Sequence, residues 1–198
     1  MANTTLYLCV YCGSSTGARP GYSDAARRIG RAIAGKGFGL VYGGGRVGLM
    51  GVVADAVLDA GGPVIGVIPE SLARDEVAHD TLTELHVVPG MHERKALMAG
   101  RASGFLTLPG GIGTYEEFFE TLTWAALGLH AKPIGVLNVE GYFDPLIAML
   151  EHGVTERFIR PAHLDLVHIT SDPESLADQL LAHAPPAPGP LWVDLENP

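Results

Sequence analysis

The chain is poor in the residues that mark secreted, nucleic-acid-binding and membrane proteins. Only two of its 198 residues are cysteine, Cys9 and Cys12, close together near the first apolar run. A secreted disulfide framework needs more cysteines at wider spacing, so a reduced, cytoplasmic protein is expected. The C-x-x-C spacing also invites a redox or zinc reading. No second cysteine pair follows it, however, and Cys9 alternates like a core-facing strand residue, so packing is the preferred role. Basic residues are scarce: 13 Lys and Arg against 22 Asp and Glu give a formal charge of -9. The six that precede Met50 (Arg19, Arg27, Arg28, Arg31, Lys36, Arg46) are interspersed rather than gathered into a stripe. Neither nucleic acid nor an anionic membrane is therefore an expected partner. No basic segment precedes the first apolar stretch, and no apolar run approaches the roughly 18 residues of a membrane span. Charged residues make up only 18% of the chain and hydrophobic ones 47%, with a mean hydropathy of +0.22. Such a composition excludes disorder for most of the chain and suits a sheet buried on both faces.

What is present is an alternation. Apolar runs of strand length occur at Leu6 to Tyr11, Phe38 to Tyr42, Pro63 to Ile68, Leu85 to Val88, Phe105 to Leu108, Pro133 to Asn138 and Leu164 to Ile169. Segments with the 3.6-residue period lie between them, among them Tyr22 to Ala34, Leu49 to Ala60, Met91 to Ala102 and Tyr115 to Leu127. This order predicts an α/β fold: one doubly wound, Rossmann-like parallel sheet of about seven strands with helices on both faces. The domain is expected to span residues 1–183. The Pro-rich run that begins at Ala184 marks residues 184–198 as an extended tail.

Small residues follow several strands: Cys12-Gly13-Ser14-Ser15, Gly43-Gly44-Gly45 and Pro109-Gly110-Gly111. Each sits at the carboxyl end of a predicted strand, the edge at which open α/β sheets bind ligands. Gly43-Gly44-Gly45-Arg46-Val47-Gly48 matches the dinucleotide fingerprint G-x-G-x-x-G, but it follows the second strand instead of the first. Its glycines, Gly44 among them, either let backbone approach a ligand or serve a tight turn. Pro109-Gly110-Gly111-Ile112-Gly113-Thr114 is more specific. Its glycines expose successive N–H groups where a helix is expected to begin, at about Thr114, and such a helix start attracts phosphate. No lysine follows the last glycine, so neither a P-loop nor magnesium is implied. Ser14 and Ser15 lack a nucleophile elbow and suit phosphate contact or a turn. Thr114-x-x-Glu117 also reads as a capping box. Glu116, Glu117 and Glu120 would repel a phosphate unless a cation intervened, and His92-Glu93-Arg94-Lys95 offers one on the same rim. That segment is not H-E-x-x-H, because Ala96 holds the fifth position, and no metal is expected.

Pro109-Gly110-Gly111-Ile112-Gly113-Thr114-Tyr115-Glu116-Glu117 matches P-G-G-x-G-T-x-x-E in full, with Met91-His92-Glu93-Arg94-Lys95 ahead of it. With Tyr11 to Ser15, Gly43 to Gly51 and Lys132 to Gly135, the chain resembles the LOG family over roughly Leu6 to Leu180. That resemblance implies hydrolysis of the N-glycosidic bond of a cytokinin riboside 5'-monophosphate, without a cofactor, by a homodimer whose helices complete each other's pockets. It implies Arg94 and Glu117 as the catalytic pair. It also implies substrate contacts at Glu76, Lys95, Gly111, Ile112, Gly113, Thr114, Tyr115, Glu116 and Thr123; Gly110 and Ser14 join them as loop residues. Some relatives carry a lysine decarboxylase label, which would need a pyridoxal-binding lysine, and Lys36, Lys95 and Lys132 have no pyridoxal context. Two other readings stand beside this one: a non-hydrolytic nucleotide sensor or carrier, which needs the loops but not Arg94 with Glu117, and an NAD-dependent enzyme.

Overall fold

A computed structural model describes residues 5–73 and 78–183 of the chain. Seven parallel strands form one sheet: β1 (Tyr7–Tyr11), β2 (Gly39–Tyr42), β3 (Val64–Pro69), β4 (Glu84–Val88), β5 (Gly104–Thr107), β6 (Ile134–Leu137) and β7 (Val167–Thr170). Their spatial order is β4-β3-β2-β1-β5-β6-β7. Central strands are buried along their length, and alternate residues enter two different cores, as the period-2 geometry of a strand requires. Leu8, Val10, Leu40, Tyr42, Val64 and Leu106 face one core. Cys9, Tyr11, Val41, Ile65, Phe105 and Val136 face the other. The two thiols are accordingly buried and unpaired, with Cys12 in the first core and Cys9 in the second. They pack into opposite layers, as the core reading of C-x-x-C requires.

The first core is closed by helices α1 (Pro20–Gly35), α2 (Gly48–Asp59) and α7 (Pro173–Ala182). The second is closed by α3 (Met91–Arg101), α4 (Ile112–Ala126) and α5 (Asp144–Thr155). A short helix, α6 (Pro161–Leu164), precedes β7. The last three helices were not resolved individually by the apolar pattern. Each nevertheless opens with a proline at its first or second position, where a missing N–H costs nothing. The N-cap Asp172 of α7 also accepts from Ser175 N at 2.9 Å. Strand and helix limits otherwise differ from the sequence reading by a few residues, within the usual uncertainty of element ends.

Strand order reverses between β1 and β5, so the connections leaving these neighbours run to opposite faces and leave a crevice at their carboxyl ends. The crossover from the edge strand β4 back to β5 is long. Its helix, α3, passes across β3, β2 and β1 on the way. That path delivers the first turn of α3, and Arg94 with it, to the rim beside α4. Among the described residues, no helix is long and apolar enough to cross a membrane. Glu76 and the proline-rich segment at 184–198 lie outside the described residues.

Candidate active site at the reversal of strand order

Three loops are stitched together at the crevice. Gly13 N donates to Pro109 O at 3.0 Å, and Leu49 N donates to Gly13 O at 3.0 Å. The loops after β1 and β5, and the start of α2, therefore form one floor. Two glycines are required by this closeness. Gly48 has a φ of +59° and lies against the Ser14 backbone, while a Cβ on Gly110 would strike Thr114 Oγ1 and lie 2.8 Å from Gly13 N. By contrast, a Cβ at Gly111 or Gly113 would meet nothing within 4 Å, so both face open space.

Helix α4 begins at Ile112 with Gly111 as its N-cap, not at Thr114. The capping box Thr114-x-x-Glu117 is consequently not formed; Thr114 lies inside the first turn and no side chain caps the helix. The physical reason is that Gly111 takes the extended backbone of an N-cap (φ -97°, ψ -156°), which starts the helix three residues earlier than its polar residues suggest. Without a capping side chain, the N–H groups of the first turn keep their hydrogen-bonding capacity for a ligand. The helix dipole adds partial positive charge at the same place.

A cavity of about 220 Å³ opens at this point, lined by Cys12, Gly13, Ser14, Met50, Met91, Arg94, Gly111, Ile112, Gly113, Thr114, Glu116 and Glu117. Arg94 and Glu117 are both buried, at 8% exposure each. They face one another with Nη1 and Oε1 3.8 Å apart. Arg94 Nε donates to Val67 O at 3.2 Å, fixing the guanidinium against the end of β3. The Glu117 carboxyl is pushed up to about 7, first by burial; Arg94 opposes that rise, while Glu116 and Glu120 add to it. A carboxyl so poised exchanges a proton near neutrality, a property common at catalytic sites. The negative cluster is largely neutralised from α3. Lys95 Nζ bonds Glu116 Oε1 at 2.6 Å and Glu120 Oε1 at 2.9 Å. Burial lowers the Lys95 pKa, yet the two carboxylates outweigh it and the net shift is upward.

A second cavity, of about 300 Å³, adjoins the first through Gly13, Ser14 and Gly111, and adds Tyr22, Leu49, Pro109, Gly110 and Tyr142. Tyr142 supports the glycine loop from below, its hydroxyl donating to Gly110 O. Tyr115 is 2.8 Å from that same hydroxyl. The side chain of Tyr115 is thus engaged within the protein and is not part of either cavity wall.

Two other sequence candidates stand apart from the pair. Gly44, with φ +80°, packs on Val67 and Ile68 of β3, whereas its neighbour Gly43 lies directly against the Arg94 guanidinium. Thr123 is exposed and lines a separate apolar groove with Phe119, Leu122, Leu127, Leu150 and Ile159. Six residues along a helix correspond to about 9 Å and about one and two-thirds turns beyond Glu117, which places Thr123 on another face of α4, away from the cavity of its own chain. Met50, Met91, Gly43 and Tyr142 were not singled out as site residues from the sequence. Gly43, Met50 and Met91 fall inside motifs that draw attention to other residues and Tyr142 falls in none; their part follows from distant segments meeting.

Comparison with known proteins gives a consistent result. The family model described as "Possible lysine decarboxylase" matches residues 50–180. A rice (Oryza sativa subsp. japonica) protein named as a probable cytokinin riboside 5'-monophosphate phosphoribohydrolase is 49% identical over 178 residues, covering 90% of this chain and 78% of that one. The cytokinin riboside 5'-monophosphate phosphoribohydrolase of Rhodococcoides fascians is 54% identical over 166 residues, 83% of this chain and 84% of its own. Among solved structures, the molybdenum cofactor binding protein of Rippkaea orientalis superposes with a TM-score of 0.70 at 22% identity, covering 91% of this chain and 98% of that one. At that identity the likeness concerns the fold alone. The decarboxylase description implies a pyridoxal-binding lysine, and the lysines present do not fit one. Lys36 pairs with Asp178, Lys132 donates to Ala99 O at 2.7 Å ahead of β6, on the rim opposite the cavity, and Lys95 is held by its two carboxylates.

Proposed function

The chain belongs to the LOG family, the cytokinin riboside 5'-monophosphate phosphoribohydrolases, and from that premise we propose that it hydrolyses the N-glycosidic bond of an adenosine 5'-monophosphate bearing an N6 substituent, releasing the free base and ribose 5-phosphate. The observation that carries this reading is the buried pairing of Arg94 with Glu117 beside the uncapped start of α4. A sensor or carrier needs the glycine loops, but it gains nothing from burying a carboxylate at the cost of raising its pKa.

The phosphate is held by the N–H groups of the Gly111 to Thr114 turn, with Ser14 beside it, where the helix dipole and open glycine faces favour an anion. Ribose lies over Glu117. As the C1'–N bond breaks, its electron pair leaves with the base, which takes up a proton, and positive charge grows on the sugar. The ionised Glu117 carboxylate stabilises that charge. Water adds to C1' and loses a proton, for which a carboxyl titrating near 7 is a suited acceptor at neutral pH. Arg94 holds the phosphate or ribose hydroxyls and offsets the local negative charge.

The protein is further proposed to act in the cytoplasm as a homodimer. The groove that carries Thr123 is lined by Phe119, Leu122, Leu150 and Ile159 and by Leu127, which is 41% exposed, and Phe158, next in sequence to Ile159, is 91% exposed, an apolar surface suited to a second copy. Thr123 then serves the partner's site, since it is remote from the cavity of its own chain. The function is tested by incubating the protein with N6-isopentenyl-AMP and with AMP and measuring free base and ribose 5-phosphate from each. Tight nucleotide binding with no base released would establish the carrier reading instead. Equal kcat/KM on the two nucleotides would reduce the activity to general AMP hydrolysis.

A further inference from the structure

The glycine-rich turn Gly43 to Gly48 has no ligand of its own in the reading above, although it carries a dinucleotide-like pattern. Its first residue follows β2 immediately and is buried. A Cβ built there would fall on Arg94 Nη2, 3.2 Å from Arg94 Cζ and 3.3 Å from Met50 Sδ. We propose that Gly43 is a positioning residue for Arg94, its missing side chain leaving the slot that holds the guanidinium toward Glu117.

The remaining contacts of the guanidinium show why that slot matters. On one edge Nε is tied to Val67 O at 3.2 Å. Nη1 lies 3.7 Å from Met91 Sδ and 3.8 Å from Glu117 Oε1. The cation is thus bounded by the backbone just beyond β2, an acceptor on β3 and a thioether of its own helix, and its approach to Glu117 is what the three leave open. A methyl group at position 43 removes the first boundary's clearance. The backbone itself tolerates the change, because Gly43 is absent from the residues with positive φ, which include Gly44 and Gly48. The atoms in the way are the ends of two flexible side chains, so the guanidinium and the Met50 thioether yield while the strand stays. The first glycine of this turn therefore makes room for an arginine of the same chain, whereas the first glycine of a dinucleotide fingerprint serves a tight turn beside a cofactor.

This inference rests on the hydrolytic reading only for its kinetic consequence. Gly43→Ala is compared with the wild-type chain by thermal melting, by carbon NMR titration of the Glu117 carboxyl and by base release from N6-isopentenyl-AMP. The groups that face Glu117 are Arg94 and Lys95 from α3, Glu116 and Glu120 on α4, and Cys9, Cys12 and Tyr11 at β1. Of these, Arg94 is the one that a Cβ at position 43 would meet first, at Nη2. Displacing it weakens the attraction that holds the carboxyl down, so the Glu117 midpoint is expected to rise in the variant while the melting temperature changes little. With the guanidinium misplaced, kcat is expected to fall on the order of 10- to 100-fold. On an Arg94→Lys background, which lacks the colliding nitrogen, Gly43→Ala is expected to leave the Glu117 midpoint unmoved. An unshifted midpoint in the single variant, or the same shift on the lysine background, overturns the inference. Should Gly43→Ala unfold, Gly43 supports the strand end and the inference falls as well. If the wild-type chain releases no base, it is the hydrolytic reading that fails, and the titration still decides the place of Gly43.

Discussion

At Glu117 the energetics of burial and of the proposed catalytic role oppose each other. In water a glutamate is ionised well below neutrality; here the loss of solvation lifts it to about 7 against the pull of Arg94. Because the ionised form is the one that stabilises a cationic sugar, turnover is expected to rise with pH through a midpoint near 7, measurable as the acid limb of kcat. A pH-independent rate between about pH 5.5 and 8.5 would exclude Glu117 as the titrating group. Glu117→Gln should keep nucleotide binding and lower turnover on the order of 100-fold or more, and unchanged release of ribose 5-phosphate would remove the residue from the mechanism. Stability carries the same signature with its own sign. The folded carboxyl keeps its proton to about 7, while in the unfolded chain it is lost near 4.5. Across that window the unfolded state binds fewer protons, so this group makes folding less favourable as pH rises. Relative to the wild-type chain, Glu117→Gln should therefore gain up to about 3 kcal/mol between about pH 4 and pH 8, read from urea unfolding at the two pH values. A constant difference between them would show that the carboxyl titrates normally. Residue identity at Arg94 and Glu117 was legible through a motif, but the raised pKa was not, since burial is a property of the neighbours.

At the level of elements, the glycine loop divides into residues that close the floor and residues that face the cavity. Gly110 sits against Thr114 and Gly13, whereas Gly111 looks into open space. Gly110→Ala is expected to lower the melting temperature by several degrees, as a clash of 1–3 kcal/mol does in a small domain. Gly111→Ala should fold normally and raise KM for the nucleotide, with kcat less affected, because the added methyl intrudes only on the approaching phosphate. Equal melting temperatures for the two variants would contradict this division. Strand positions were readable because unbroken apolar runs bounded by glycine and proline have few alternatives in a sheet buried on both sides. The start of α4 was misread for an equally local reason. Thr114 and Glu117 fit a capping pattern, yet the N-cap at Gly111 places them inside the helix, where Glu117 faces the cavity and Thr114 packs under the loop.

For the whole molecule, the reversal of strand order between β1 and β5 creates the crevice, and the long return of α3 across the sheet fills one side of it. The opposite side of α4 carries the apolar groove with Thr123 and Leu127. If that groove joins two copies, Leu127→Asp should convert a dimer into a monomer in sedimentation experiments. Base release should fall with it, because Thr123 no longer reaches the partner's cavity. A wild-type chain that sediments as a monomer, yet is fully active, would exclude the shared site.

By itself the sequence determined the alternation of strand and helix and the glycine-rich turn before α4, and a motif resemblance singled out Arg94 and Glu117 as the candidate pair, since each is written in short segments whose chemistry is local. The tertiary structure alone decided which of those segments meet. Arg94 and Glu117 lie 3.8 Å apart because α3 is carried back across three strands. Gly43 lies against the Arg94 guanidinium while its neighbour Gly44 packs on β3, because α3 brings its arginine to only one of them. Contacts between residues distant in sequence depend on strand order and on what each helix crosses, and no local pattern of residue types records either.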